Sequence, residues 1–381
     1  MQHRGVLKVN SRDHVERPTR AVIDLKAISH NIAEIRKKIG SRRDLMAVVK
    51  ADGYGHGAVE VSLAALSSGA TCLGVALPEE GLQLRDAGVD VPVLVLGLIQ
   101  PEEAYKTIDS GLEQAVSTVE LADALDQEAR KASTHIKVHI KVDTGMGRIG
   151  VSPQDALELV RTISRFKNLD LTGIFSHFPS ADETDKTFTK RQIGIFNDLV
   201  QGIEDAGFRI PKRHMANSAA ILDLPESYLD LVRPGIMIYG LYPSMEVSRS
   251  IKLKPAMTLK TDVIYVKSVP AGTPISYGRT FCVDRKAVVA TLPVGYADGY
   301  YRSLSNQGSV LIRGRQVPLI GRVCMDMCMI DVTGIKDVRP GEEVVLFGEN
   351  PPVDEIARKI GTINYEVVCA VGKRVPRIYV Q

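Results

Sequence analysis

The sequence predicts an α/β protein: an N-terminal (β/α)8 barrel of the TIM type followed by a smaller, mostly antiparallel β domain. Three observations carry this expectation. Eight short apolar runs recur between residues 45 and 240, segments of helical period stand between them, and after about residue 250 the strand-like runs continue without helices. With 381 residues the chain is long enough to bury a core in each part.

The eight runs are LMAVVK (45–50), TCLGVAL (71–77), VPVLVLG (91–97), EQAVST (113–118), IKVHIKVDT (136–144), LTGIFSHF (171–178), RHMANS (213–218) and LVRPGIMIYG (231–240). Between them, 79–88, 119–132 and 152–166 carry apolar residues three and four apart and open on Ser, Thr or Pro, which is how amphipathic helices begin. Upstream, AVIDL (21–25) precedes a first helix over 26–40 and is expected to pair with the C-terminal domain. Downstream, TLKTDVIYVKSV, AVVATLPVGYADGY, GSVLIRGRQVPLIGRVCMDMCMIDV and EEVVLFG are separated by Pro and Gly, the punctuation of antiparallel strands. The expected division is a polar N-terminal tail (1–17), the barrel (18–248) and the β domain (249–381).

Composition narrows the function classes. Lys plus Arg number 48 against 45 Asp plus Glu, and the two signs are interspersed, so neither nucleic acid nor an anionic membrane is an expected partner. A small diffusible ligand suits the chain better. No run reaches the roughly 18 apolar residues of a membrane span, and the opening MQHRGVLKVNSRDHVERPTR lacks the apolar core of a secretion signal, so the cytoplasm is the expected location. Cys72, Cys282, Cys324, Cys328 and Cys369 are odd in number and scattered among apolar residues, as expected of reduced, packed thiols. Cys324 and Cys328 lack a second ligand pair, so no metal site is expected.

In such a barrel the chemistry sits at the carboxyl ends of the strands. Lys50 closes the first run, Lys141 and Arg148 lie at and beyond the fifth, and His177 closes the sixth. Asn217 and Ser218 close the seventh, and Arg233 with Gly235 marks the eighth. Taken alone, Lys50 is as readily a solvated strand-end lysine, Asn217 and Ser218 are helix caps, and Arg233 is one half of a salt bridge. A lysine in a water-poor mouth, however, has its charged form disfavoured and can attack a carbonyl carbon. The loops after strands seven and eight often surround a phosphate with backbone N–H groups. A reactive amine and a phosphate cradle on one rim are together what pyridoxal phosphate requires.

Seven motifs then carry a resemblance. VVKADGYGHG (48–57), DTGMGRIG (143–150), RPGIMIYG (233–240), SYGRT (276–280), VGYADGY (294–300), CMDM (324–327) and INYE (363–366) occur in the order found in bacterial alanine racemases. The chain resembles that family from about residue 18 to its C-terminus. The resemblance implies pyridoxal 5′-phosphate on Lys50, with Tyr54, Ser218, Gly235, Ile236 and Tyr365 around the phosphate and Arg233 on the pyridine nitrogen. A guanidinium stays protonated, so a ring nitrogen facing it is unprotonated and the cofactor is a weaker electron sink.

Racemisation needs two bases on opposite faces of a planar centre. The resemblance implies Lys50 for one face and, from the partner subunit of a homodimer, Tyr277 for the other, with His177 and Arg233 as its supports. A core histidine bonded to a carbonyl is the alternative for His177. Arg148 and the backbone of Met325 would meet the substrate carboxylate, with Asp326 ordering the Met325 loop. Tyr296 would narrow the entrance, or be a surface tyrosine of the β domain. Lys141 would orient Arg148, and in some members of the family the equivalent lysine is carbamylated. The implied function is interconversion of L- and D-alanine, supplying D-alanine for peptidoglycan, with a racemase of broader range, acting on serine or other residues, as the alternative. Barrel-type decarboxylases fit less well, since they set an acidic residue where this chain has Arg233. A non-catalytic cofactor-binding barrel would not need the residues after 250.

Overall fold

The computed structural model describes residues 17–381. Eight parallel strands form the barrel: β1 (Asp44–Val48), β2 (Cys72–Val75), β3 (Val93–Val95), β4 (Glu113–Val116), β5 (Ile136–Lys141), β6 (Leu169–Phe175), β7 (Lys212–His214) and β8 (Leu231–Val232). They hydrogen-bond in the order β7-β6-β5-β4-β3-β2-β1-β8, so each strand lies beside its sequence neighbour and β8 returns to β1. The last gap, between β7 and β8, is closed without a full ladder. Asp230 N–H donates to the Arg213 carbonyl (3.1 Å), Arg233 N–H to the Ala216 carbonyl (2.9 Å), and the Arg213 guanidinium to the Asp230 carboxylate (2.7 Å).

The eighth run departs from expectation. It was expected as a strand over 231–240, yet only two residues pair before a 3-10 turn at Ile236–Tyr239. Pro234 supplies the reason, because it has no N–H to give a ladder and fixes φ. Likewise 152–166 yields a helix only over Ala156–Ile163, with Ser152 and Asp155 spent on a hydrogen-bonded turn ahead of it.

Helix starts follow the sequence signals. Leu25–Ile39 opens on Asp24, whose carboxylate accepts from Ala27 N–H (3.0 Å), and buries Ile28, Ile32, Ile35 and Ile39 along one face. Val119–Lys131 opens on Thr118, which caps Leu121 N–H (3.3 Å). Each cap satisfies one of the orphan N–H groups of a first turn.

The antiparallel-rich part contributes most of a nine-stranded sheet, in which neighbours such as Tyr265–Val269 with Ala287–Leu292 and the hairpin Ser309–Ile312 with Arg315–Ile320 pair antiparallel. The strand Arg20–Asp24 joins this sheet between Met257–Asp262 and Arg377–Val380. Two compact units result, and neither is a single stretch of chain. One comprises Val22–Thr258, Phe347–Gly372 and Arg377–Gln381, and the other residues 17–21, Leu259–Leu346 and Lys373–Pro376. Within the first, the late segment is helical, with helices at Val353–Ile360 and Asn364–Cys369.

Residues 1–16 of the expected tail lie outside the described residues. Arg17 is anchored, its guanidinium meeting the fully buried Asp298 carboxylate at 2.6 Å. All five cysteines are free, but the expected packing holds only in part. Cys72 and Cys328 are buried, while Cys282 and Cys369 are exposed.

Gly240 ends the 3-10 turn at φ 83°, and a side chain there would run into the Lys254 carbonyl, which Asn31 also holds (2.9 Å). Gly240→Ala is therefore expected to lower stability by about 2 kcal/mol or more. Gly40→Ala, at φ 80° with open space around it, should cost about 1 kcal/mol. Denaturant midpoints of the two variants test this, and equal losses would contradict the clash.

Candidate active site

The first barrel run ends in an unusual turn. After Val48 and Val49, Lys50 enters a short helical segment in which Ala51, Asp52 and Tyr54 as well as Gly53 have φ between 51° and 58°. A left-handed conformation costs L-residues roughly 1–2 kcal/mol each, so it needs support. Glu80 accepts from Ala51 N–H (2.6 Å) and, with its other oxygen, from Ala76 N–H (2.7 Å), tying the loop after β1 to the loop after β2. Asp52 accepts from Ala58 N–H (3.0 Å), and the Arg377 guanidinium donates to the Gly55 carbonyl (3.0 Å). At Gly55 a side chain would strike the Val368 carbonyl, so glycine is required there for space as well as for φ.

Lys50 faces a cavity of about 610 Å3 at the carboxyl ends of the strands. Its walls include Tyr54, Lys141, Arg148, His177, Asn217, Ser218, Arg233, Gly235, Ile236 and Tyr365, which are the barrel-rim residues singled out in the sequence together with one from the late helix Asn364–Cys369. Four basic side chains, Lys50, Lys141, Arg148 and Arg233, stand against the carboxylates Asp182 and Glu366. The cavity is therefore suited to an anion. Burial, and secondly the Arg148 charge, hold the Lys50 amine below the usual lysine range, which favours the neutral nucleophilic form.

One end of the cavity is built from the loops after β7 and β8. Ser218 opens a six-residue helix, and its hydroxyl accepts from Gly235 N–H (2.9 Å). Asn217 caps the same helix through Ala220 N–H (3.1 Å), so its capping role is what the structure shows. Gly235 permits a close approach: a Cβ there would lie 2.6 Å from the Tyr54 hydroxyl. Tyr54 and Tyr365 face each other with ring centroids 6.0 Å apart.

The other end is dominated by Arg233, which is 4 % exposed. Its guanidinium donates to His214 Nδ1 (2.8 Å) and to the carbonyls of Ser176 (2.7 Å) and Met215 (3.1 Å), with His177 Nδ1 at 3.4 Å. Burial pushes it down to about 9, still above neutrality, so it remains a cation. His177 and His214 are driven well below the usual imidazole range by burial and then by Arg233, so both are neutral. Phe175 fills the space between, with His214 stacked on it at 4.7 Å and both Lys141 Nζ and the Arg233 guanidinium carbon 5.3 Å from its centroid.

Arg148 sits on a loop drawn tight by Asp143, whose Oδ1 accepts from Gly145 (2.9 Å), Met146 (2.8 Å) and Gly147 N–H (3.1 Å). Lys141, the last residue of β5, donates to the Val142 carbonyl (2.9 Å) and is brought down to about 7, mainly by burial and then by Arg233.

Tyr277 and Met325 do not line this cavity. They belong to the other compact unit, where Tyr277 is 71 % and Met325 53 % exposed, and they share a concavity of about 560 Å3 with Met327 and Met329. Tyr277 is presented by a strained turn in which Ser276 has φ 66°, pinned by its hydroxyl to the Arg322 carbonyl (2.7 Å). The CMDM loop is held by its neighbour: Tyr296 N–H donates to the Cys324 carbonyl (3.0 Å) and Ala297 N–H to that of Met325 (3.0 Å). Asp326 pairs with Arg374 at 2.5 Å, and Arg374 also reaches Asp298 (2.7 Å).

Glu80 and His214 were missed in the sequence. His214 could have been flagged as a polar residue one position into RHMANS, whereas nothing local marks Glu80.

Comparison with known proteins agrees throughout the chain. Residues 23–243 match the family model of the alanine racemase N-terminal domain, and 256–379 that of the C-terminal domain. An alanine racemase of Halothermothrix orenii is 49 % identical over 369 residues, covering 96 % of this chain and 97 % of the relative. One from Methanococcus maripaludis is 48 % identical over 371 residues, covering 96 % and 99 %. Among solved structures, the alanine racemase of Clostridium difficile 630 superposes with a TM-score of 0.94 at 37 % identity, covering 96 % of both chains. That of Bacillus anthracis, solved with bound L-Ala-P, gives 0.90 at 36 % identity, covering 96 % and 95 %.

Lys141 offers a test of these electrostatics. A lysine whose folded value falls from 10.5 to about 7 destabilises the fold in full below about pH 7, where it is protonated in both states. The penalty fades as pH rises toward 10.5. Lys141→Met should therefore gain stability over the parent at pH 6, on the order of 2–4 kcal/mol, and lose most of that advantage by pH 10. Denaturant midpoints at the two pH values measure it, and a gap independent of pH would contradict the shift.

Proposed function

The chain belongs to the alanine racemase family and is an isomerase of alanine; from this premise we propose that it works through pyridoxal 5′-phosphate held on Lys50, with two bases on opposite faces of the substrate. The observation that carries this is the meeting, in one cavity, of a depressed lysine amine, a Ser218–Gly235 cradle and a permanently charged Arg233. The residues fit the group chemically. The amine suits the aldehyde, the excess of cations suits the phosphate, and the bare Gly235 leaves room beside the Tyr54 hydroxyl. When bound, the cofactor supplies the electron-withdrawing system that makes the α-proton of alanine removable.

In this scheme Tyr54, Ser218, Gly235, Ile236 and Tyr365 would hold the phosphate. Arg233 would face the pyridine nitrogen and, having no lone pair to accept a hydrogen bond from a pyridinium N–H, would leave that nitrogen unprotonated. Arg148 meets the substrate carboxylate. Lys141 lies near enough to neutrality to present a free amine, the form that carbamylation requires, and it orients Arg148.

Lys50 moves the α-proton on one face. Tyr277 of a second copy moves it on the other, supported through neutral His177 and Arg233, while the backbone of that copy's Met325 caps the carboxylate and Tyr296 narrows the entrance. Exposure supports this division. A tyrosine held out on a strained turn, beside exposed Met325 and Met327, is presented to solvent rather than to the core of its own unit. A homodimer with shared sites follows, acting in the cytoplasm to supply D-alanine for peptidoglycan.

Borohydride treatment of the yellow protein should fix the cofactor on the Lys50 peptide, and a substrate panel scored by chiral chromatography should show alanine turned over ahead of serine. Tyr277→Phe should still bind the cofactor but slow α-proton exchange in deuterated water from one enantiomer by about 100-fold or more relative to the other. Equal slowing of both enantiomers, or a label elsewhere, would count against the assignment.

A further inference from the structure

Behind Arg233 a file of polar groups runs through the barrel. Arg233 Nη1 meets His214 Nδ1 at 2.8 Å, His214 Nε2 meets His139 Nδ1 at 2.9 Å, and His139 Nε2 meets the Glu113 carboxylate at 3.2 Å. The last link is the loosest and falls short of a well-aligned hydrogen bond. The members come from β4, β5, β7 and the residue after β8, passing over β6. Two features of the strands make room for it. The β5–β6 register shifts between Val138 and His139, and Gly173 on β6, paired with His139, has no side chain where a Cβ would run into the His139 ring. Both imidazoles are sealed, at 1 % exposure or less.

The direction of every hydrogen in this file is forced. A guanidinium only donates, so His214 Nδ1 accepts. A neutral His214 then carries its proton on Nε2 and donates to His139 Nδ1. His139 in turn carries its proton on Nε2 and points it at Glu113, which as a carboxylate only accepts. Burial first, and Glu113 acting the other way, set the His139 imidazole below its usual range, consistent with a neutral ring between a cation and an anion. Lys137, Lys212 and Arg85 are the other charges near Glu113, and Lys137 stands at 3.8 Å.

We propose that Glu113 and His139 are positioning residues for the racemase reaction: they fix the tautomer of His214 and thereby hold the Arg233 guanidinium in the orientation in which it meets the cofactor ring. This rests on Arg233 facing that ring, as proposed above. Neither residue touches the cavity, and neither stands in any motif singled out in the sequence. Without the carboxylate, His139 is free to move its proton to Nδ1. His214 Nε2 then loses its acceptor, and the neutral ring can turn its N–H toward a guanidinium that has no lone pair to receive it.

The test uses the full-length protein labelled with 15N at histidine and read by two-bond 15N–1H correlation without added cofactor, alongside kinetics of the cofactor-loaded enzyme. Two neutral imidazoles with the proton on Nε2 are expected for His139 and His214. Glu113→Gln keeps a carbonyl acceptor and should preserve both tautomers, with kcat within about fivefold of the parent. Glu113→Leu should mix the tautomers and lower kcat about 10- to 100-fold with KM for alanine changed less than about threefold, the range seen when an orienting partner of an imidazole is removed. A cationic or Nδ1-protonated His214 in the parent, an unchanged His214 signal in Glu113→Leu, or equal kinetic losses in both variants would overturn the proposal. Should Glu113→Leu not fold, the parent and Glu113→Gln spectra decide it: Nε2 protonation in both supports it, and Nδ1 protonation of His214 in either overturns it. A parent protein that binds no cofactor and leaves alanine unchanged would instead count against the functional assignment, since the histidine spectra are read without either.

Discussion

A guanidinium cannot set down its proton at neutral pH, and Arg233 carries one on the cavity wall with only 4 % of its surface exposed. The barrel answers that cost with neutral acceptors: two carbonyls, His214 Nδ1 and, at longer range, His177 Nδ1. Among the described residues no carboxylate pairs with it directly, and the nearest compensating charge along the polar file is Glu113, two imidazoles away. The cation therefore acts on everything around it. It helps keep His177 and His214 unprotonated and, after burial, is the second cause of the low Lys141 value. A direct Asp or Glu partner would cancel this influence and make the ring-facing group an ordinary ion pair. Leaving the charge open preserves a fixed positive potential where the pyridine nitrogen is proposed to lie.

The opposite wall of the cavity depends on backbone geometry instead. The left-handed turn after Val49 sets three non-glycine residues in a conformation that the free chain avoids. Contacts from Glu80, Asp52 and Arg377 hold it, so the cost is met by groups from the turn itself, from the helix Pro78–Asp86 that follows β2 and from the C-terminal strand. The turn places Tyr54 against Gly235 and Tyr365 while Lys50 stays at the strand end. Rigidity of this kind matters because a reactive amine displaced by an ångström loses its line to the carbonyl carbon.

Legibility in the sequence follows the range of each interaction. Most of the strand runs were readable because burial of a barrel strand writes itself into consecutive apolar residues, as at 45–49 and 72–75. The rim residues Lys50, Arg148, His177, Ser218 and Arg233 were readable because the fold puts strand ends at the mouth. What depends on distant partners was not. His139 looks like one polar residue in an alternating strand, and only the register shift and Gly173 give it a place beside His214. VVKADGYGHG was legible as a motif, but Ala51, Asp52 and Tyr54 adopt positive φ for reasons held by Glu80 and Arg377. The β8 run looked longer than it is because the apolar residues after Pro234 pack in a 3-10 turn. Residues 347–372 belong to the barrel unit, where the helix Asn364–Cys369 supplies Tyr365 and Cys369 to the cavity wall.

If a permanent cation orders the site, the protonation state of the ring nitrogen is its most direct reporter. Loading the protein with pyridoxal phosphate labelled with 15N in the ring and recording its chemical shift near neutral pH reads that state without reference to turnover. The shift of an unprotonated pyridine nitrogen is the result this account predicts, and it should persist as the pH is lowered toward 6. A nitrogen shifted to the protonated pyridinium range would contradict it, because Arg233 could not then be the charged neighbour that the barrel is built to hold.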